Sequence, residues 1–298
     1  MKKQTALKYP HAASLFMFCR RVLDHKFSGI RVIDQDIGQI LGFDPADCSH
    51  WKKGKKNIHS IHSIHTIAQH LGVDDKLVAE VACGELDDEE AYCEFLGYGQ
   101  TSIDPKLMEN AKKEFYKFNS SRWSRDLDSQ FRETFLVNET KIDKIVNDIH
   151  DRLNFREAPL YLPELAAFYP AIVLSPSMDR SEPTPFPVTV QKEQNKYIIV
   201  YRPGSEIRPY VRYKIAKAVA GYFLPSRSVR QELQPLEEQL CEVESNLFAS
   251  RLLAPTALIK KETKNINVAK DLLTQLAEIF WVSKSFMNRR LQEVLLSL

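Results

Sequence analysis

The stretch Val211–Leu224, VRYKIAKAVAGYFL, predicts a core helix because its apolar residues recur at helical spacing. The residues that follow this spacing are Ile215, Ala218, Val219, Tyr222 and Phe223. Gly221 interrupts the pattern, and a glycine inside a helix costs about 1 kcal/mol relative to alanine. We therefore expect a local structural reason for glycine at this position.

A second amphipathic pattern follows over Glu242–Pro255, EVESNLFASRLLAP, and its proline ends the predicted helix. The two stretches together resemble the ImmA/IrrE family of zinc peptidase-like domains. That family has an Arg-aromatic-x-aliphatic-Ala lead into an HExxH motif, and later a Glu-Ala-Asn-x-Phe-Ala-x-x-Leu-Leu-x-Pro helix. The lead is matched by Arg212, Tyr213, Ile215 and Ala216. The later helix is matched by Glu244, Asn246, Phe248, Ala249, Leu252, Leu253 and Pro255.

The HExxH motif itself is absent, and Lys217-Ala218-Val219-Ala220-Gly221 stands in its place. By the resemblance, Lys217 and Gly221 replace the two histidine ligands, Ala218 replaces the catalytic glutamate, and Glu244 keeps the position of the third ligand. A protonated lysine does not ligate zinc, and alanine and glycine offer neither a ligand nor a general base. We therefore expect a pseudo-peptidase domain without catalytic residues, metal or other cofactor.

The remaining carboxylate of Glu244 would be costly to bury alone. We expect Lys217 to take over the positive charge of the lost zinc and to pair with Glu244, with Gly221 leaving room for the lysine stem. The alternative is a solvent-exposed Lys217, with Glu244 paired locally, for instance to Arg212 or Arg251.

The composition is that of a globular protein of about two domains, with 298 residues, 44% of them hydrophobic. The net charge of +2 means that any binding of nucleic acid must depend on a local basic patch. The five cysteines are an odd number without a CxxC pair, which is typical of reduced thiols and favours a cytoplasmic location. We find no signal-peptide pattern and no apolar run of membrane-spanning length, so no membrane partner is expected.

The first 86 residues predict five short helices. Their expected positions are Ala12–His25, Ile33–Phe43, Pro45–Lys53 with Asp44 as its N-cap, a helix opened by Ser60 with Ile61, Ile64, Ala68 and Leu71 inward, and Lys76–Cys83. The motifs Ile37–Gly42, Cys48–Lys55 and Ile67–Val73 resemble the XRE, lambda repressor-like family of helix-turn-helix domains. In such domains the second helix of the motif enters the major groove of DNA.

The resemblance implies DNA contacts by side chains of the second motif helix, and a lysine cluster beside it would neutralise phosphates. The residues implied are Pro45, Ala46, Asp47, Ser49, His50 and Lys53, and the lysines are Lys52, Lys53, Lys55 and Lys56. The sequence departs from the family at Asp34, where glutamine is usual. Asp44 and Asp47 also place negative charge on the surface that DNA would approach. The alternative interpretation is a helix-turn-helix that packs on protein.

Three histidines, His59, His62 and His65, recur every third residue at the start of the fourth predicted helix. They could coordinate a metal ion, but residues spaced by three drift around a helix of 3.6 residues per turn and do not share one narrow face. We therefore favour exposed histidines beside a row of buried isoleucines.

The rest of the chain predicts a helical connector over residues 87–136 and a pseudo-peptidase domain over 137–260, closed by a helical element over 261–298. Strands are expected at Ala171–Leu174, Val188–Val190 and Tyr197–Tyr201, and turns at Gly97–Gly99 and Arg202–Ser205. The fold class is thus mainly α with a small β-sheet (α+β). The closing element either completes the domain or forms a second helix-turn-helix. In that second case Ser283, Lys284, Asn288, Arg289 and Arg290 would touch nucleic acid.

These features predict a DNA-binding transcription regulator whose second domain is an inactive sensor or dimerisation platform. Its expected partners are duplex DNA, a second copy of the chain and a small-molecule effector. Two alternatives belong to other classes: a protein-interaction module in phage immunity or antitoxin control, and a peptidase that cleaves a partner repressor.

Overall fold

The computed structural model describes residues 7–27, 32–96, 102–119, 127–176, 188–193, 195–201, 209–266 and 271–296. The predicted turns at Gly97–Gly99 and Arg202–Ser205 lie outside these residues. The chain forms two compact units, Met1–Gly97 and Tyr98–Leu298. The predicted α+β class is confirmed, because helices dominate and a three-stranded sheet accompanies them. No helix in the described ranges has the length and apolar character needed to cross a membrane.

The helices of the first unit lie close to their predicted positions. They are α1 Pro10–Lys26, α2 Asp34–Leu41, α3 Pro45–Lys52, α4 Ile61–Leu71, α5 Asp75–Ala82 and α6 Asp88–Phe95. The predicted caps are confirmed: the side chain of Asp44 accepts the backbone N–H of Ala46, and that of Ser60 accepts the N–H of Ser63. One core prediction is wrong, because Ile61 is 86% exposed. Ile61 is the first residue of α4, and Ile58, just before the helix, fills the core instead.

The helix α6 belongs to the first unit. Tyr92 and Phe95 pack against the same hydrophobic cluster as the helices before them, and the ring of Phe95 lies 5.6 Å from that of His25. The segment 87–136 is therefore divided between the two compact units rather than forming one connector.

The second unit contains the sheet and the remaining helices. Its elements are α7 Pro105–Asn119, α8 Leu127–Phe135, α9 Glu139–Arg152, α10 Leu162–Phe168, β1 Ile172–Pro176, β2 Val188–Glu193, β3 Lys196–Tyr201, α11 Pro209–Phe223, a 3-10 turn Gln231–Leu233, α12 Gln234–Leu253, α13 Thr256–Asn265, α14 Leu272–Phe280 and α15 Lys284–Leu296. The order in the sheet is β1-β3-β2, with β1 parallel and β2 antiparallel to β3. The helix α11, predicted from its apolar periodicity, packs on α12 and against β2 and β3, so it lies at the centre of the unit.

The α7–α8 pair packs on the N-terminal half of α12. Its apolar cluster consists of Ala111, Phe131, Phe135, Leu233, Leu236 and Leu240. Aromatic rings dominate the contact, with the rings of Phe115 and Phe131 5.4 Å apart. These aromatic residues therefore extend the core of the second unit, which explains why the segment is too apolar for a flexible linker.

The closing element packs into the second unit. Two of its five residues that were considered as nucleic-acid contacts are buried there. Arg290 is buried and donates to the carbonyl of Ala254, to Thr256 Oγ1 and to Glu293. Ser283 is also buried, and its hydroxyl accepts the backbone N–H of Phe286 at the start of α15. Nucleic-acid contact by these two side chains is therefore contradicted, because both are used inside the unit.

Candidate functional sites

Two glycines shape the α2–turn–α3 motif of the first unit. Gly42 ends α2 with φ 73°, a left-handed conformation that favours glycine. Gly38 allows α2 to approach α3, since a Cβ there would lie 2.9 Å from Cys48 Sγ and 3.0 Å from the Phe43 carbonyl oxygen. The two glycines thus permit the turn after α2 and the close approach of α2 to α3.

The exposed face of α3 carries most of the side chains predicted to contact DNA. Pro45, Ala46, Ser49 and His50 are exposed and Asp47 is half-buried, whereas Cys48 and Trp51 are buried on the opposite face. Trp51 anchors the helix, with its ring 5.2 Å from that of Phe16 in an edge-to-face contact. The structure therefore brings the predicted contact residues of α3 onto one accessible surface.

The lysine cluster beside α3 is partly neutralised by acidic side chains. Lys52 Nζ lies 2.6 Å from Asp34 Oδ2, and Lys56 Nζ lies 2.5 Å from Asp47 Oδ2. Lys53 and Lys55 are exposed, and neither forms an ion pair with another described residue. Two of the four predicted phosphate contacts are thus already paired with carboxylates, which sequence reasoning did not foresee.

The three histidines of α4 and the residues before it do not converge. His59, His62 and His65 are all exposed, and His65 Nδ1 lies 2.9 Å from Asp75 Oδ2. Among the residues that the structure describes, no group of three His, Cys, Asp or Glu side chains could hold a metal ion. The prediction of exposed histidines is confirmed, whereas the predicted row of buried isoleucines is wrong at Ile61, and Ile64 is only half-buried.

The second unit contains an open cleft of about 370 Å³ between β2, β3, α11 and α12. Lys217, Ala218, Gly221 and Glu244, the four predicted former metal-site positions, all line it. The packing of α11 on α12 brings these positions together, and both helices are buried on most of their surface. The predicted geometric relation between the two sequence stretches is therefore observed.

Glu244 pairs with Arg227, a residue that the sequence did not indicate. Both carboxylate oxygens accept from the guanidinium, with Nη2–Oε1 at 2.7 Å and Nη1–Oε2 at 3.2 Å. Glu244 is 6% exposed, so this two-point pair lies largely away from water. Glu237 adds a second buried carboxylate, whose Oε1 accepts the backbone N–H of Arg227 at 2.6 Å. The cation beside Glu244 is thus an arginine from the segment between α11 and α12.

Lys217 forms its ion pair with Glu242 rather than with the predicted partner Glu244. Residues two positions apart on a helix point in different directions, and Glu242 faces the lysine while Glu244 faces Arg227. Burial of the Glu242 carboxyl acts to raise its pKa, but the hydrogen bonds from Lys217 and Asn246 and the charges of Lys217 and Lys214 together outweigh burial and lower the pKa. Asn246 Nδ2 donates to the same carboxylate at 3.2 Å.

The alternative partners predicted for Glu244 are also engaged elsewhere. Arg212 is buried and donates to the carbonyl of Leu160, and burial lowers its pKa to about 10. Arg251 pairs with Glu139 and with Asp143, the latter at 2.9 Å. Both arginines therefore stabilise contacts to α9 or to the segment before α10, not the cleft.

Gly221 is required by the side chain of Tyr197 on β3. A Cβ at position 221 would lie closer than 3.0 Å to the tyrosine hydroxyl, a distance that real Cβ atoms essentially never show. Burial raises the pKa of Tyr197, so the hydroxyl stays protonated beside the helix. The predicted use of this space by the Lys217 stem is therefore wrong, because Tyr197 fills it.

Two residues that line the cleft, Ala218 and Cys241, supply neither a general base nor a reactive thiolate. Ala218 offers no ionisable group, and the thiol of Cys241, which also lines the cleft, has a pKa raised to about 12 by burial and by its hydrogen bond to Glu237. A thiol with such a pKa remains protonated and is a poor nucleophile. The cleft instead presents lysine ammonium groups and a carboxylate that already has its cation.

Comparison of the chain with protein-family models, with curated proteins and with solved structures found no match.

Proposed function

We propose that the first unit binds duplex DNA and that the protein is a transcription regulator with a non-catalytic second unit. The observation that carries the proposal is the exposed face of α3, which follows a glycine-ended α2 and a capped turn. Ser49 and His50 lie there with hydrogen-bonding side chains, and Lys53 and Lys55 follow at its end. This arrangement suits a helix that enters the major groove while the lysines meet phosphates.

The second unit is proposed to act as a sensor or as a dimerisation platform. The pairing of Glu244 with Arg227 supports a metal-free state, because the guanidinium occupies both oxygens that a metal would use. Ala218 at the position of the general base supports the absence of peptidase activity. Elemental analysis of the purified protein tests this part, and stoichiometric zinc would overturn it.

Binding to genomic DNA fragments at several salt concentrations tests the DNA-binding part. The variant Lys53→Ala/Lys55→Ala should lower the salt slope by about two, one for each lost phosphate contact. The matched control is Lys141→Ala/Lys144→Ala on α9, whose lysines are equally exposed and should leave the slope unchanged. Sedimentation of the complex reports whether two chains bind one site, as we expect for a two-fold symmetric operator.

The protein-interaction alternative is favoured by one observation, the ion pairs of Lys52 and Lys56 with Asp34 and Asp47. These pairs reduce the positive potential that attracts DNA. If neither wild-type protein nor Asp34→Asn/Asp47→Asn binds any fragment at low salt, the DNA-binding proposal is refuted and the alternative stands.

A further inference from the structure

Among the residues that the structure describes, the cleft of the second unit is lined by more positive than negative groups. Lys192 reaches it from β2, and Lys214 and Lys217 reach it from α11. The carboxylate among its lining residues is Glu244 on α12. Since Arg227 takes both oxygens of that carboxylate, Glu244 does not offset the lysines.

The three lysines differ in how their charges are held. Lys217 pairs with Glu242, which lies next to the cleft. Lys192 Nζ lies 5.7 Å from the ring centroid of Tyr197, and Lys214 Nζ lies 5.3 Å from that of Tyr210. In the described part of the chain, no carboxylate forms an ion pair with Lys192 or Lys214, although the charge of Lys214 contributes to the lowered pKa of Glu242. These two ammonium groups thus lie near aromatic rings, and their N–H donors are available to a ligand.

We infer that this cleft binds a small molecule through carboxylate or phosphate oxygens held between Lys192 and Lys214. Lysine is a common partner of both groups, and its flexible stem lets it adjust to either geometry. The hydroxyl of Tyr197 adds a polar group at the floor of the cleft, and Val188 and Leu224 add apolar surface. A volume of about 370 Å³ lies within the range of ordinary ligand pockets.

The position of Lys192 also has an explanation unrelated to ligand binding, and the experiment must distinguish the two. It lies on β2, an edge strand of the sheet, where a lysine also discourages pairing with a second chain. A lysine with only that role would not change the affinity of an anion. Lys214 lies on a helix, where this explanation does not apply.

Isothermal titration of the full chain without DNA tests the inference, with inorganic phosphate, pyrophosphate and citrate as probes. We expect saturable one-site binding of at least one probe, and an affinity about tenfold or more lower in Lys192→Gln/Lys214→Gln. The control Lys141→Gln/Lys144→Gln should bind like the wild type. The single variant Lys192→Gln, at an exposed strand position, replaces the double variant if that one does not fold.

Two results would overturn the inference. One is that none of the three probes shows saturable binding at concentrations up to about 10 mM, about ten times a millimolar Kd. The other is equal affinity in the wild type and the lysine variants, which would place the anion elsewhere. The inference rests on the proposed sensory role only for the regulatory meaning of ligand binding. A protein that binds the probes as expected but binds no DNA would therefore refute the proposed function and leave this inference intact.

Discussion

Charged side chains are paired at both candidate sites, but in very different surroundings. Beside α3, Lys52 and Asp34 keep about 40% of their side-chain surface exposed, at 39% and 43%. Beside the cleft, the side chains of Glu237 and Glu244 are 2% and 8% exposed, and Arg227 forms ion pairs with both. Water screens the first pair, so it contributes about 0–1 kcal/mol. Removing one partner of a buried pair leaves an uncompensated charge, which costs about 3–5 kcal/mol.

The largest expected effect is that of Arg227→Met. This variant leaves the carboxylates of Glu237 and Glu244 buried without their cation, and we expect a loss of about 3–5 kcal/mol in the free energy of unfolding, measured in urea. The control is Arg152→Met on α9, whose partner Asp148 is about half exposed, and it should cost no more than about 1 kcal/mol. Equal losses in the two variants would show that burial does not distinguish these pairs.

The double variant Arg227→Met/Glu244→Leu sharpens the same point. Replacing both partners by apolar side chains should cost less than Arg227→Met alone, because one buried charge disappears with its partner. A double variant that is less stable than either single variant would contradict this interpretation.

The next effect is steric, and it concerns the wall of the same cleft. Gly221→Ala should destabilise the protein by about 1–2 kcal/mol, because the added Cβ meets the Tyr197 hydroxyl. In the background Tyr197→Phe the hydroxyl is gone, and the Cβ then lies at an ordinary 3.5 Å from the ring carbon that carried it. There, Gly221→Ala should stabilise the protein by up to about 1 kcal/mol through helix propensity. Thermal unfolding of the four proteins checks this change of sign, and the same sign in both backgrounds would refute it.

A smaller effect concerns a buried histidine whose charged form is disfavoured by burial. Burial lowers the pKa of His150 on α9, whose Nε2 lies 3.0 Å from the carbonyl oxygen of Leu252. The unfolded chain binds a proton at this histidine that the folded chain does not, so stability is lost as the pH falls below about 6.5. Urea unfolding at about pH 5 and pH 7.5 should show a smaller loss in His150→Gln than in the wild type. An identical pH dependence in the two proteins would exclude His150 as a contributor.

The smallest expected effect is that of Lys52→Ala or Lys56→Ala on stability. Both lysines pair with partly exposed carboxylates, and we expect changes of about 0–1 kcal/mol in urea. A loss as large as that of Arg227→Met would mean that exposure does not decide the value of an ion pair in this protein.

Local features could be predicted from the sequence because they depend on neighbouring residues. Asp44 and Ser60 cap their helices as expected, since a cap requires only a short side chain before the first turn. The meeting of Lys217, Gly221 and Glu244 at one cleft was expected only from the resemblance of the two stretches to the ImmA/IrrE family, because their own patterns do not indicate which faces meet.

The partners of the charged residues were not predictable. Arg227 lies in an irregular segment 17 residues before Glu244, and no periodicity indicates where such a segment directs its side chains. Glu242 and Glu244 lie on the same helix, and only the packing of α11 on α12 decides which of them faces Lys217. Ile61 shows a related limit, because its period fits the buried face while the first turn of α4 does not reach the core.

The contact between Gly221 and Tyr197 makes the order of substitutions matter. As long as the hydroxyl of Tyr197 lies against α11, any side chain larger than glycine at position 221 must displace it. A histidine at 221 must therefore displace the Tyr197 side chain, whichever residue occupies 217, and it is better tolerated once position 197 carries a smaller residue. Positions 197 and 221 are thus coupled, and the cost of a substitution at one depends on the residue already present at the other.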